Sequence, residues 1–275
     1  MEALLDSPGP RAGVTVEGLD DVGPSVVTLW RSSPGNKRRV VRGWNRRVVY
    51  GSGYVEDAEC PIGRTVTYEL QVVAGAVVPA ALSASVVLDS RWGSVQDPML
   101  PGHMLPVSAE TYVGGVGIVS PSLPTLTYAM GVELATILGS DEPVALGGQR
   151  LVASGLAFNF VTDLAETSTA LRGILTGAFP LLIRPLPSWG DLADLLYVAA
   201  EVEDVTPRRF LQGRLYRWRV QGPQVAPQSI NIVVPIWTYG DVEELWATYA
   251  DAQAAAVAAN ATYLDDLKDP SMGGA

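Results

Sequence analysis

The amino-acid sequence predicts a mainly β protein with two β-rich domains and a helical end. Three observations carry that expectation. Short runs of alternating apolar and polar residues recur over residues 14–90, each closed by a Gly, Pro or Asn turn. Similar runs, interrupted by a single helical pattern, fill residues 107–235. Residues 236–275 then change to an Ala-rich composition with helical spacing.

Residues 1–13, rich in Pro, Gly and Asp, read as a flexible lead-in. From Val14 the runs Val14-Thr15-Val16, Val26-Val27-Thr28-Leu29-Trp30, Arg39-Val40-Val41, Val48-Val49-Tyr50, 65–70 and 84–88 alternate as strands do. Gly23-Pro24, Ser33-Pro34-Gly35-Asn36, Gly51-Ser52-Gly53 and Pro61-Ile62-Gly63 punctuate them as turns. Regular short strands with such turns predict an antiparallel sandwich over 14–90, fibronectin-like or immunoglobulin-like. Residues 91–106 hold Gly93, Asp97-Pro98, Pro101-Gly102 and Pro106, which break both helix and ladder, and are expected to be a linker.

Strand-like runs then fall at 126–138, 150–162, 181–186, 195–205 and 211–220. Between them Asp163 reads as an N-cap, Leu164, Leu171, Ile174 and Leu175 as one helical face, and Gly177 as the stop. In the final segment Thr238-Tyr239-Gly240-Asp241 recurs as Thr248-Tyr249-Ala250-Asp251 and Thr262-Tyr263-Leu264-Asp265. A Thr followed three residues later by an acid is a variant capping box, with Asp in place of the usual Glu. Val242, Leu245, Trp246 and Tyr249 follow the first copy at helical spacing. Their face is expected to dock on a neighbouring subunit. Its acidic side would meet the basic stretch Arg208, Arg209, Arg214, Arg217 and Arg219.

Composition narrows the function. A single cysteine, Cys60, excludes an intramolecular disulfide framework, and a single histidine, His103, excludes multi-His metal sites. The formal net charge of −10 disfavours binding to a phosphate backbone. Charged residues are only 17% against 48% apolar, a balance suited to a protein that buries surface in an assembly. The start, Met1-Glu2-Ala3-Leu4-Leu5-Asp6, lacks a signal peptide's positive and apolar regions, and the apolar run 74–88 is broken by Pro79. Neither export nor membrane insertion is expected, and synthesis is placed in a cytoplasm.

The basic run Lys37, Arg38, Arg39, Arg42, Arg46 and Arg47 reads as a solvated, charge-protected hairpin rather than a nucleic-acid site. The acids Glu56, Asp57 and Glu59, with Glu201, Glu203 and Asp204, read as strand-end turn residues. A glycosidase pair is the competing reading, and neither group has calcium-loop spacing. The seven tryptophans suit core or interface anchors, with sugar stacking as the alternative. No catalytic set, cofactor motif or metal motif assembles.

The segments Val27-Thr28-Leu29-Trp30-Arg31 with Val41-Arg42-Gly43, and 54–68 with its Pro61-Ile62-Gly63-Arg64-Thr65-Val66-Thr67-Tyr68 close, carry a resemblance. Asp97-Pro98 with Leu100-Pro101, Gln149-Arg150, Pro180-Leu181-Leu182-Ile183-Arg184 and the Thr-Tyr-x-Asp copies extend it over nearly the whole chain. The chain resembles the minor tail proteins of long-tailed phages (siphoviruses) infecting actinobacteria. The resemblance implies a non-enzymatic virion component of the distal tail or baseplate, made in the bacterial host cytoplasm. It also implies other tail proteins as partners and a homo-oligomeric ring. No catalytic residues come with it. The competing function is a carbohydrate-binding module that recognises a host-surface glycan.

Overall fold

The computed structural model describes residues 2–4, 9–34, 36–79, 82–110, 115–123, 126, 130–135, 144–150, 153, 155–190, 192–206, 215–228, 246 and 248–258. The architecture is mainly β.

The first half contains β1 (Glu2–Leu4), β2 (Arg11–Val16), β3 (Ser25–Ser32), β4 (Arg39–Val40), β5 (Arg47–Val49), β6 (Gly53–Asp57), β7 (Thr65–Ala74) and β8 (Ser83–Val87). These form a three-stranded sheet, β1-β2-β6, and a larger sheet, β4-β3-β7-β8, in which β5 also pairs with β3. Alternation places Ala12, Val14 and Val16 from the first sheet against Val27, Leu29, Val66 and Tyr68 from the second. The flexible lead-in expected over 1–13 instead supplies two strands, because Glu2–Leu4 pairs with Arg11–Gly13, and Arg11 and Ala12 are already buried on a strand paired with β6.

The basic run is not a hairpin of its own. β4 and β5 lie along the same edge of β3, with Trp30 opposite Val40 and Val26 opposite Val48. Residues 41–46 bulge between them and drop Val41 and Trp44 into the core. The bulge is tied down because Val41 N–H donates to Leu29 O (2.9 Å) and Leu29 N–H to Trp44 O (3.0 Å).

The second half comprises β9 (Gly93–Asp97), β10 (Leu100–Ser108), β11 (Val116–Ile118), β12 (Met130–Ala135), β13 (Val144–Arg150), β14 (Leu156–Thr162), α1 (Ala165–Gly177), β15 (Leu181–Arg184), β16 (Leu196–Val198), β17 (Glu201–Asp204) and β18 (Tyr216–Gly222). Eight of these strands make one sheet in the order β16-β15-β9-β10-β11-β14-β18-β17. The linker expected over 91–106 is therefore replaced by β9 and most of β10. Its Pro101 and Gly102 fall where the β9–β10 register shifts between Leu100 and Met104, an irregularity that tolerates them.

The large sheet curls until its ends meet. Val198 faces Gln224 in the same antiparallel register that pairs Glu201 with Gln221. Ala199 N–H donates to Pro223 O (3.1 Å) and Val225 N–H to Tyr197 O (2.7 Å). A strand already bonded to β15 thus also reaches the end of β18. Gly222 makes this approach possible, since a Cβ there would fall onto the Ala199 carbonyl.

Val95, Val107, Val116, Phe158, Phe160, Ile183, Val198 and Val220 point inward from the curled wall. Leu171, Ile174 and Leu175 of α1 pack against them, as their spacing predicts. Asp163 is not the cap. Leu164 holds that position without a side-chain cap bond, and its own side chain is exposed because it precedes the first turn. Among the described residues β12 and β13 pair only with each other. α2 (Tyr249–Ala258) follows Thr248, whose Oγ1 accepts from Asp251 N–H (3.2 Å) and donates to Asp251 Oδ2 (2.7 Å). None of its described side chains is buried.

Candidate functional site: an ionic seam between the two halves

The wall formed by β9, β15 and β16 is buried on both faces. Inward it meets the apolar core. Outward it presents Ser94, Gln96, Leu182, Arg184 and Tyr197, all at most 1% exposed, to the end of β6 and the turn that follows. A strand covered on both sides reads in sequence as a nearly continuous apolar run, which Leu181-Leu182-Ile183 does.

The seam begins with three acids in four residues. β6 ends at Asp57, so Glu56, Asp57 and Glu59 arrive together where β2 and β3 bring Arg11 and Arg31 alongside. Arg11 Nε donates to Glu56 Oε2 at 2.6 Å. Arg31 Nη1 reaches both oxygens of Asp57 at 2.6 Å, and its Nη2 lies 3.8 Å from Glu59 Oε2. Arg42, on the bulge between β4 and β5, donates from Nε to Glu59 Oε1 at 2.7 Å. Tyr68 OH donates to Asp57 Oδ2 (2.7 Å). From the barrel wall, Tyr197 OH donates to Glu59 Oε2 (2.8 Å).

Arg184 completes the seam from β15 and is fully buried. It donates from Nε to Ser94 Oγ (2.7 Å), from Nη1 to Cys60 O (2.9 Å) and from Nη2 to Pro10 O (2.8 Å), with Met104 Sδ at 3.0 Å. Every one of those acceptors is neutral. Gln96 Nε2 adds a bond to Ala58 O (3.1 Å). At the seam's margin Asp194 accepts from Asn36 Nδ2 (2.6 Å) and Arg64 Nε (3.1 Å), clasping two sandwich loops.

Burial and charge set the electrostatics. Burial disfavours the Arg31 cation, yet Asp57, Tyr68 and Glu59 together hold its pKa above the ordinary arginine value. Arg184, without a carboxylate in contact, is lowered by burial to about 10. Burial, and then Asp57, push the Cys60 thiol up to about 12. Tyr68 and Tyr197 are raised by burial and by their carboxylate neighbours, so both stay as neutral donors. Such an arrangement holds charges still. A thiol kept protonated is a poor nucleophile, and the carboxylates of Asp57 and Glu59 are engaged by arginine and tyrosine donors.

The acids expected at solvated turns thus divide. Asp57 and Glu59 are buried in the seam and Glu56 is half-buried at its side, whereas Glu201, Glu203 and Asp204 lie exposed on β17, where Glu203 pairs with Arg219 (3.2 Å). The basic run divides too. Arg42 turns inward, while Lys37, Arg38, Arg39, Arg46 and Arg47 stay exposed, and Arg38 stacks over Trp30 at 4.5 Å. His103 is exposed on β10. Arg217 is exposed on β18 beside Arg219. Trp246 is half-buried and the backbone of Tyr249 opens α2. Val242, Leu245, Arg208, Arg209 and Arg214 lie outside the described residues. Among the described residues no group of three His, Cys, Asp or Glu could hold a metal ion, and no helix is long and apolar enough to cross a membrane. Comparisons with protein-family models, curated proteins and solved structures found no match.

Sequence reasoning missed the seam as a site. Its one readable signal is numerical: residues 9–90 carry nearly equal numbers of acids and bases, although the chain as a whole is strongly acidic.

Proposed function

We propose that the protein is a structural minor tail protein of a phage virion, which builds the distal tail tip or baseplate through protein–protein contacts. The observation that carries this reading is the seam. The densest cluster of ionisable groups is spent on fixing two β layers to each other, a use that suits a rigid building block. The β12–β13 ribbon adds support, since among the described residues it pairs only with itself, and a two-stranded ribbon is marginally stable in water and gains from a neighbour.

In this reading the N-terminal sandwich is fibronectin-like or immunoglobulin-like, and residues 236–275 form a helical arm to which α2 belongs. The arm docks on a neighbouring tail protein through Val242, Leu245, Trp246 and Tyr249. The protein acts without enzymatic activity or cofactor, within a homo-oligomeric ring of the virion. Co-expression with the tail proteins encoded beside it is the test. A stable complex is expected, lost on deleting 238–275 and weakened by Trp246→Ala. Failure of the full chain to join any such complex, or turnover of cell-wall polymers by the purified protein, would overturn the reading.

One observation favours the glycan-binding alternative. Trp30 lies on the outward face of the larger sandwich sheet beside Gln71, to which its Nε1 donates (2.9 Å). Arg38 covers that ring, so a sugar would have to displace it. Binding of the full chain to a glycan array, abolished by Trp30→Ala, would select this second reading.

A further inference from the structure

The two edges of the larger sandwich sheet meet solvent differently. On one side β4 and β5 are short, split by the bulge over 41–46, and bordered by the exposed Lys37, Arg38, Arg39, Arg46 and Arg47. Charge and a bulge are ordinary means by which an edge avoids pairing with another chain. The opposite edge, β8, has neither. Its pairing with β7 runs from Ser83 to Val87 without a register shift, and residues 70–88 contain no charged residue. Proline would also block an edge, and β8 has none. Ser83, Ala84, Ser85 and Val87 are exposed, and Val86 is half-buried. The register fixes which backbone groups point outward. Leu70 N–H donates to Leu82 O (2.7 Å), so Tyr68–Ala84 and Val66–Val86 are likewise hydrogen-bonded pairs. Ser83, Ser85 and Val87 therefore turn their N–H and C=O groups away from β7. Among the described residues no strand takes them, and the adjacent β1 pairs with β2.

Charge and symmetry select the occupant. A two-fold axis at Ser85 sets Ser85 against Ser85 and Ser83 against Val87, joining all three outward positions of both copies. Such an axis brings like against like, which a charged edge resists and a hydroxyl accepts, since it both donates and accepts. Ser85 Oγ already lies 2.9 Å from Thr67 Oγ1, so the pairing would carry a Thr–Ser ladder through the axis. The charges bordering the edge do not oppose this. Glu69, opposite Ser83, is paired with Arg38 (2.5 Å), and Arg64 is held by Asp194 (3.1 Å). Asp89 and Arg91, beyond the end of the strand, are of opposite sign. We propose that β8 pairs antiparallel with β8 of a second copy of this chain, continuing the larger sandwich sheet across two molecules. The inference goes beyond the assembly reading above, because a two-fold contact closes at two copies and uses neither the arm nor a ring.

Sedimentation velocity on the full chain, across a concentration series, tests this. Five residues a side is a small contact, so the wild type is expected to pass from single chains of 29.2 kDa to pairs as concentration rises. Ser85→Lys and Ser85→Glu should each weaken pairing at least tenfold, by setting like charges across the axis. Mixed one to one, the two variants should pair again, Lys against Glu, as a contact of β8 with itself requires. If either variant melts below the wild type, Ser83→Lys, at the next outward position, carries the comparison. Trp246→Ala should leave pairing intact, which separates this contact from docking by the arm. A wild type that stays single at every concentration would overturn the proposal and point to a partner of another kind. A mixture that stays single while the wild type pairs would overturn it in favour of a strand from elsewhere in the second copy. So would a Ser85→Lys variant that pairs normally, or loss of pairing in Trp246→Ala.

Discussion

Asp57→Asn removes one negative charge from the seam and almost no volume. In the wild type Arg31 touches both Asp57 oxygens at 2.6 Å and Tyr68 OH donates to one of them at 2.7 Å. After the substitution the nearest carboxylate to Arg31 is Glu59, whose oxygen lies 3.8 Å from Nη2. The side chains are 5% and 2% exposed, so water cannot replace the lost charge. Stranding one partner of a buried ion pair typically costs ~3–5 kcal/mol. For a chain of this size each kcal/mol lowers the melting point by roughly 2–4 °C, so a fall of roughly 6–20 °C is expected. The internal control is Glu69→Gln, which breaks an equally close pair with Arg38 (2.5 Å) whose side chains are 44% and 47% exposed. That change should cost about 0–1 kcal/mol. Thermal melts followed by circular dichroism, together with urea titrations, give both values. Asp57→Leu combined with Arg31→Met should recover part of the loss, since an apolar pair leaves no orphaned charge. Equal costs for Asp57→Asn and Glu69→Gln, or a loss below about 1 kcal/mol for the former, would refute the reading of Asp57 and Arg31 as a buried pair on which the sandwich side of the seam depends.

Other consequences are equally measurable. Gly222→Ala should force the barrel closure apart at a cost of about 1–3 kcal/mol, and faster hydrogen exchange at the Ala199 and Val225 amides would report it. Leu171→Ala empties the α1 contact with the barrel core, where Leu171 is fully buried, and should cost roughly 2–5 kcal/mol by urea denaturation. Alkaline pH should destabilise the fold through Cys60, whose thiol is raised from 9.0 to about 12. Between those values the unfolded chain has released the proton and the native chain has not, so stability falls as pH rises, by up to ~1.4 kcal/mol per pH unit. Cys60→Ala should remove that increment from a stability–pH series taken between pH 8 and 11. An unchanged slope would contradict the buried neutral thiol.

Much of the strand content is legible in the sequence. Val26 to Trp30, Thr65 to Leu70 and Leu181 to Arg184 lie on β3, β7 and β15, and the α1 stripe of Leu171, Ile174 and Leu175 is buried as spaced. These segments follow local rules, alternation or helical period, which neighbours in sequence can satisfy. β9 and β10 are not legible, because Pro98, Pro101, Gly102 and Pro106 signal turns. The wall absorbs them with a tight turn after Asp97 and a register shift before Met104. The seam escapes sequence reading for a different reason. A buried carboxylate and a solvated one are identical letters, and the partners of Asp57 and Glu59 sit on β3, β7, β16 and the β4–β5 bulge. Only the pairing of strands brings them together.

The span of the Arg184 bonds has a consequence for how the chain is made. Its guanidinium joins residues separated in sequence by 174, 124 and 90 positions, and Tyr197 reaches Glu59 across 138. On the ribosome the sandwich emerges first and can form its sheets, yet Pro10 O, Cys60 O and the carboxylate of Glu59 wait for partners still inside the exit tunnel or not yet translated. Domains fold in order of emergence during synthesis, so the nascent protein passes through a stage in which an open, charged facet covers no wall. That facet, solvated while it waits, resists sticking to other nascent chains as a bare apolar one would not. Only when β15 and β16 leave the tunnel does the arginine arrive that closes it.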